Sequence, residues 1–115
     1  MKAVDLLKLN EEAIVVFTRD KHLDIRPDGT GSSGHWKVDS DRLPGKLIIM
    51  NRPGDSGVAD ILIANITGSS PSPSPHDGRT ILFFSQVRNF GSTESNWIEF
   101  SGGGQNPVHY ISGNG

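Results

Sequence analysis

Three stretches of this chain combine the residue types that molecular recognition needs. The first is Gly34-His35-Trp36-Lys37-Val38-Asp39. A glycine approach delivers an indole flanked by an imidazole and an ammonium. Trp36 offers a flat face for a stacked heterocycle, and Lys37 a contact for a phosphate. The competing reading packs Trp36 into the core at the start of a strand. The second stretch, Arg88 to Phe100, interleaves polar and aromatic side chains. Asn89, Ser92, Thr93, Ser95, Asn96 and Glu99 supply directional donors and acceptors. Phe90, Trp97 and Phe100 supply flat apolar surface. A pocket that reads a base uses stacking for affinity and edge hydrogen bonds for identity. A turn-rich loop uses the same Ser, Thr and Asn side chains to satisfy its own backbone, so both readings stay open. The third stretch is Gly102-Gly103-Gly104-Gln105-Asn106-Pro107-Val108-His109-Tyr110. Its glycines permit close backbone approach, and Gln105 and Asn106 can pair with an adenine-like edge. A flexible turn before a last strand is the plain alternative. It lacks the strand-to-helix setting of a dinucleotide or phosphate-binding loop.

Catalytic and metal chemistry has weaker support. His22, His35, His76 and His109 show no close pairing at ligand spacing, so neither a metal site nor a cofactor is expected. No Gly-x-Ser-x-Gly elbow is present. Asp39, Asp41 and Asp60, together with His35, are the residues a hydrolase or nuclease would use. Asp39 and Asp41, however, sit beside a helical turn that they can cap. Lys37, Arg42 and Arg88 are candidate nucleic-acid backbone contacts. The local basic excess is modest, and Arg42 and Arg88 also suit surface ion pairs.

These side chains must be positioned by short elements, because Gly and Pro punctuate the chain closely. Breaks fall at Pro27-Asp28-Gly29, Gly31 to Gly34, Pro44-Gly45, Pro53-Gly54, Gly68 to Gly78 and Ser101 to Gly104. The runs between them are rich in Ile, Val, Leu and Phe and predict strands. Expected strands cover residues 13–18, 36–38, 46–50, 58–67, 79–87 and 107–111. Residues 40–43 should form one helical turn, and the start a short helix or irregular segment. In the run 58–67, Ile61, Ile63 and Asn65 share one face and Leu62, Ala64 and Ile66 the other. Apolar residues on both faces imply a central strand or a barrel wall. Asn51 to Gly57 reads as the long loop of a hairpin. Residues 69–78 read as a Ser/Pro-rich surface loop, because alternating Ser-Pro suits extended, solvated backbone rather than a sheet.

The whole chain, 115 residues with 14 Gly, 7 Pro and no Cys, is enough for a single domain, 1–115, with one core. Residues 1–33 form its N-terminal part. The absence of Cys excludes a disulfide scaffold, a thiolate nucleophile and Cys-based metal sites. A net charge of -2 excludes a uniformly basic coat. No apolar run approaches a membrane span, and the start makes a poor signal peptide, so no membrane association and a cytoplasmic setting are expected.

The order of His35-Trp36-Lys37-Val38, Leu43, Lys46-Leu47-Ile48-Ile49-Met50 and Ala59-Asp60-Ile61-Leu62-Ile63-Ala64-Asn65 resembles the PUA-like superfamily, especially its EVE- and ASCH-type domains. The resemblance covers roughly residues 34–111. It implies a mainly β fold, a small bent β-barrel with short helical turns. It also implies a noncatalytic reader of a flipped or modified base in DNA or RNA, acting with a partner enzyme or as a homodimer. Carried to this chain, Trp36 and Trp97 would wall the pocket. Ser92, Asn96, Glu99 and Asn106 would read the base edge, with His35 and Lys37 beside them. Lys37, Arg42 and Arg88 would touch phosphates. A small-molecule or nucleotide binder using the same pocket is the first alternative, and an Asp/His hydrolase the second.

Overall fold

The computed structural model describes residues 2–113. It is a mainly β fold built on one sheet of seven strands. In chain order the strands are β1 (Glu12–Thr18), β2 (Leu23–Ile25), β3 (Gly31–Trp36), β4 (Lys46–Asn51), β5 (Ala59–Pro71), β6 (Thr80–Thr93) and β7 (Val108–Ser112). One helix, α1 (Trp97–Ser101), precedes β7, and a 3-10 turn (Ala3–Leu6) precedes β1. The strand order across the sheet is β2-β3-β6-β5-β4-β1-β7. β1 and β4 run parallel and every other pairing is antiparallel.

The apolar runs become strands because their Ile, Val and Phe side chains can be divided between two buried faces. Ile61 and Ile63 point to one face with Val15, Ile48, Met50 and Phe100. Leu62, Ala64 and Ile66 point to the other with Ile14, Val16, Leu47, Ile49, Trp36, Leu82 and Phe84. The first face is covered by the 3-10 turn and α1, which bring Ala3, Leu7 and Phe100 onto it. The second face is covered by the sheet itself. β5 and β6 are long, and their register shifts at Ile61/Leu62, Ile63/Asn65 and Ile66/Gly68. Such bulges sharpen local twist and bend. The bend brings β3 and the first half of β6 over β1 and β4.

The expected barrel is therefore a bent sheet that does not close, with β2 and β7 as its free edges. Two further differences bear on the site. Gly68, Ser69, Ser70 and Pro71 pair with Phe83 to Thr80 as the end of β5 rather than belonging to a loop. Pro71 is tolerated because it ends the strand, where no further ladder donor is needed. Residues 31–36, rather than 36–38, form β3, because pairing with both β2 and β6 overrides weak Gly and Ser propensity. No helix among the described residues is long and apolar enough to cross a membrane.

Candidate functional site

Local chain geometry at three separate places brings three imidazoles together. The first place is the turn after β1. Thr18, buried at the strand end, accepts from the Lys21 amide through Oγ1 at 3.2 Å and donates to the Lys21 carbonyl at 3.0 Å. Asn51 fixes the same turn from β4, accepting from the Asp20 amide at 2.8 Å and donating to the Asp20 carboxylate at 2.7 Å. The turn forces both Asp20 (φ 61°) and His22 (φ 54°) into the left-handed region. For a His this backbone costs on the order of 1–2 kcal/mol. It is held by the Gly34 amide, which donates to the His22 carbonyl at 3.1 Å. Strain of this kind concentrates where a side chain has a task.

The second place is β3. Its ladder with β6 slips between Ser33 and Trp36. The slip takes Gly34 and His35 out of regular pairing and re-aims the His35 ring. The third place is the tight loop from Ser72 to Arg79. Its ends are tied by the Ser72 amide donating to the Arg79 carbonyl at 3.0 Å, and its tip by the His76 amide donating to the Pro73 carbonyl at 2.9 Å. Buried Ser72 places Oγ 2.7 Å from His35 Nδ1.

The result is a cluster of His22, His35 and His76. One ring nitrogen from each lies within 4.8 Å of the others. His35 and His76 stack with centroids 4.0 Å apart and planes 6° from parallel. His22 meets them edge-on at 4.6 and 5.2 Å. A tetrahedral ion with bonds of about 2.0–2.1 Å needs ligand nitrogens roughly 3.4 Å apart with their in-plane lone pairs aimed at one point, so the rings would close by about 1.4 Å at most and the stacked His35 and His76 rings would turn out of parallel to hold it. Burial, the neighbouring His76 and His22, and the Arg79 guanidinium all lower the His35 pKa from its ordinary 6.5. The neutral, ligating form is thereby favoured. If Nδ1–H donates to Ser72 Oγ, Nε2 carries the free lone pair.

The cluster floors an open cleft of roughly 560 Å³. Its cations are Arg19, Lys21 and Arg79, and Phe17, Trp36, Pro75 and Pro107 contribute apolar wall. Arg79 donates through Nη1 to the His35 carbonyl at 3.3 Å, and Arg19 lies 5.5 Å over the Phe17 ring. No carboxylate lines the cleft among the described residues.

The residues singled out from sequence are dispersed. His35 and Trp36 reach this cleft. Trp36 is only 7% exposed and donates through Nε1 to Ser33 Oγ, so most of its ring is core. Trp97 packs against the opposite face of the sheet, 5.7 Å from Phe17 and stacked 5.5 Å from His109. The two indoles thus pack in different core clusters, and only Trp36 lines the cleft. Asn96 caps α1, its side chain accepting from the Glu99 amide at 2.8 Å. The Asn106 carbonyl accepts from Trp97 Nε1, and its side chain accepts from the Val108 amide. These two Asn residues therefore serve local backbone. Ser92 pairs with Asp60 across the β5–β6 ladder, and Glu99 is exposed on α1. Lys37 and Arg42 are exposed in the β3–β4 connection. Arg88 lines a separate groove with Lys46, Asn65 and Gln86. Asp39 accepts from the Asp41 amide in a turn, but residues 40–43 form a turn and bend rather than the expected helical turn, so there is no helix for it to cap. None of Asp39, Asp41 and Asp60 joins the histidine cluster.

The histidines show no pairing at ligand spacing along the sequence, yet three of the four, His22, His35 and His76, come together in space. Spacing along the chain carries no trace of the cluster, because each imidazole comes from a different turn, bulge or loop. His109 stays apart, its Nε2 3.1 Å from the Gly104 carbonyl oxygen. Comparison of the chain with family models, with curated proteins and with solved structures found no match.

Proposed function

We propose that this chain is a metal-dependent ligand-binding domain in which His22, His35 and His76 hold one divalent transition-metal ion, zinc being the natural occupant. The observation that carries the reading is the convergence of three ring nitrogens within 4.8 Å at the floor of an open cleft. Neutral imidazole suits zinc and its neighbours in the transition series, and three protein ligands leave a position for water or a bound molecule. The Ser72 hydroxyl beside His35 supplies the hydrogen bond that ligating histidines usually make through their other nitrogen. The small-molecule alternative raised from sequence thus moves to this cleft, keeping His35 and Trp36 and leaving Trp97 aside.

Titration calorimetry with Zn²⁺ and Co²⁺ tests the reading. One ion should bind per chain. Replacing His22, His35 or His76 by Ala should each lower affinity at least tenfold, whereas His109→Ala should bind as the parent does. Absence of binding, or binding as tight as the parent's in any of the three variants, would overturn it.

A further inference from the structure

The charge around the cluster says what the open position takes. Three neutral imidazoles leave a divalent ion its full +2. Arg19, Lys21 and Arg79 add three cations to the same cleft. The nearest acidic neighbours in sequence are Asp20, Asp24 and Asp77. Asp20 is engaged by the Asn51 amide group at 2.7 Å; Asp24 shares an adjoining pocket with His22 and His35 but is paired with Arg26 at 3.7 Å; none of the three lines the cleft itself. A site with this excess of positive charge and no carboxylate in the cleft attracts a multiply charged anion in place of water at the open position. Arg79, at the end of the loop that carries His76, lines the cleft and donates through Nη1 to the His35 carbonyl, and the remaining N–H groups of its planar guanidinium suit an oxyanion with two oxygens to offer. The remaining wall is apolar and partly aromatic: Phe17, Trp36, Pro75 and Pro107. At roughly 560 Å³ the cleft exceeds what a bare phosphate fills and lies in the range of small-molecule sites.

From this geometry we infer that the cleft binds a small organic phosphate monoester, its phosphoryl oxygen on the metal and Arg79, its apolar or ring-bearing body against Phe17, Pro75 and Pro107. The inference rests on the metal reading above. It names a dianion with a body, and therefore separates the ester from inorganic phosphate, which has the charge alone, and from a nucleic-acid strand, whose diester linkages offer one charge each.

The test uses the Co²⁺-loaded chain, whose visible absorption reports exchange at the open position. Phenyl phosphate, a nucleoside monophosphate, inorganic phosphate, the uncharged nucleoside and a short oligonucleotide lacking terminal phosphates are titrated in turn. One of the two monoesters should shift the spectrum saturably and bind at least tenfold tighter than inorganic phosphate. The nucleoside should leave the bands unchanged. Arg79→Gln and Lys21→Gln should each weaken the monoester at least fivefold, and the second variant keeps the test valid if the first disturbs the loop. Co²⁺ binding that depends on the three histidines, with bands that no monoester moves, would overturn this inference and leave the metal reading intact. Tighter binding of the oligonucleotide, or equal monoester binding by the metal-free chain, would also overturn it. Failure of Co²⁺ to bind at all would overturn both.

Discussion

Ser72 supplies the sharpest test of how the fold prepares its cluster. The residue is 8% exposed and its Oγ lies 2.7 Å from His35 Nδ1. Ser72→Ala removes that partner and little volume. Losing the outer partner of a ligating His typically lowers metal affinity by about 10- to 100-fold, or roughly 1.4–2.7 kcal/mol. The same deletion in the metal-free protein costs only about 1 kcal/mol, the net worth of one hydrogen bond. The two effects separate in a denaturant-unfolding assay with and without zinc. At free zinc of about 100 times the parent Kd, the parent gains roughly 2.7 kcal/mol on binding. A variant tenfold weaker gains about 1.4 kcal/mol at that concentration, and one a hundredfold weaker about 0.4 kcal/mol. Ser33→Ala is the control, because it removes the Trp36 indole's partner without touching the histidines. It should lower metal-free stability and leave the zinc gain whole. A zinc gain in Ser72→Ala equal to the parent's, beside reduced metal-free stability, would refute the claim that Ser72 orients His35.

Two other outcomes follow from the same geometry. Because burial and the facing His76, His22 and Arg79 lower the His35 pKa from 6.5, the unfolded chain takes this proton first as pH falls. Metal-free stability should hold above about pH 6.5 and fall below it until the folded-state value is passed; urea midpoints between pH 8 and 5 should show this, with a shallower fall in His35→Gln, and an equal fall in both would contradict it. Gly31→Ala should destabilise by about 3 kcal/mol or more in the same assay, since an added Cβ would collide with the Asp24 carbonyl oxygen and lie 2.7 Å from the Phe84 ring. Gly68→Ala, whose Cβ would meet nothing within 4 Å, is its control and should cost under about 1 kcal/mol.

The residues themselves determined the elements whose signals are local. Alternation in 58–67 placed Ile61 and Ile63 opposite Leu62, Ala64 and Ile66, as the two packed faces bear out. The hairpin of β4 and β5 and the strand at the C-terminal end were legible for the same reason: strand period and turn residues act over a few positions. That Asp39 serves local backbone was legible too, since an Asx turn needs only its own neighbours, although the helical turn expected over 40–43 does not form. β2 was not, because its three residues are ordered by β3 rather than by their own propensity. α1 was not, because its five residues are held by the Asn96 cap and by Phe100 buried on the sheet. Tertiary structure alone decided that Trp36 and Trp97 lie on opposite faces, which follows from which strands pair and not from either residue's surroundings in sequence. It alone gathered His22, His35 and His76, since His35 reaches Ser72 across a separation of 37 residues. Contacts of that range depend on strand order and on the slip in the β3–β6 ladder, and no periodicity along the chain encodes either.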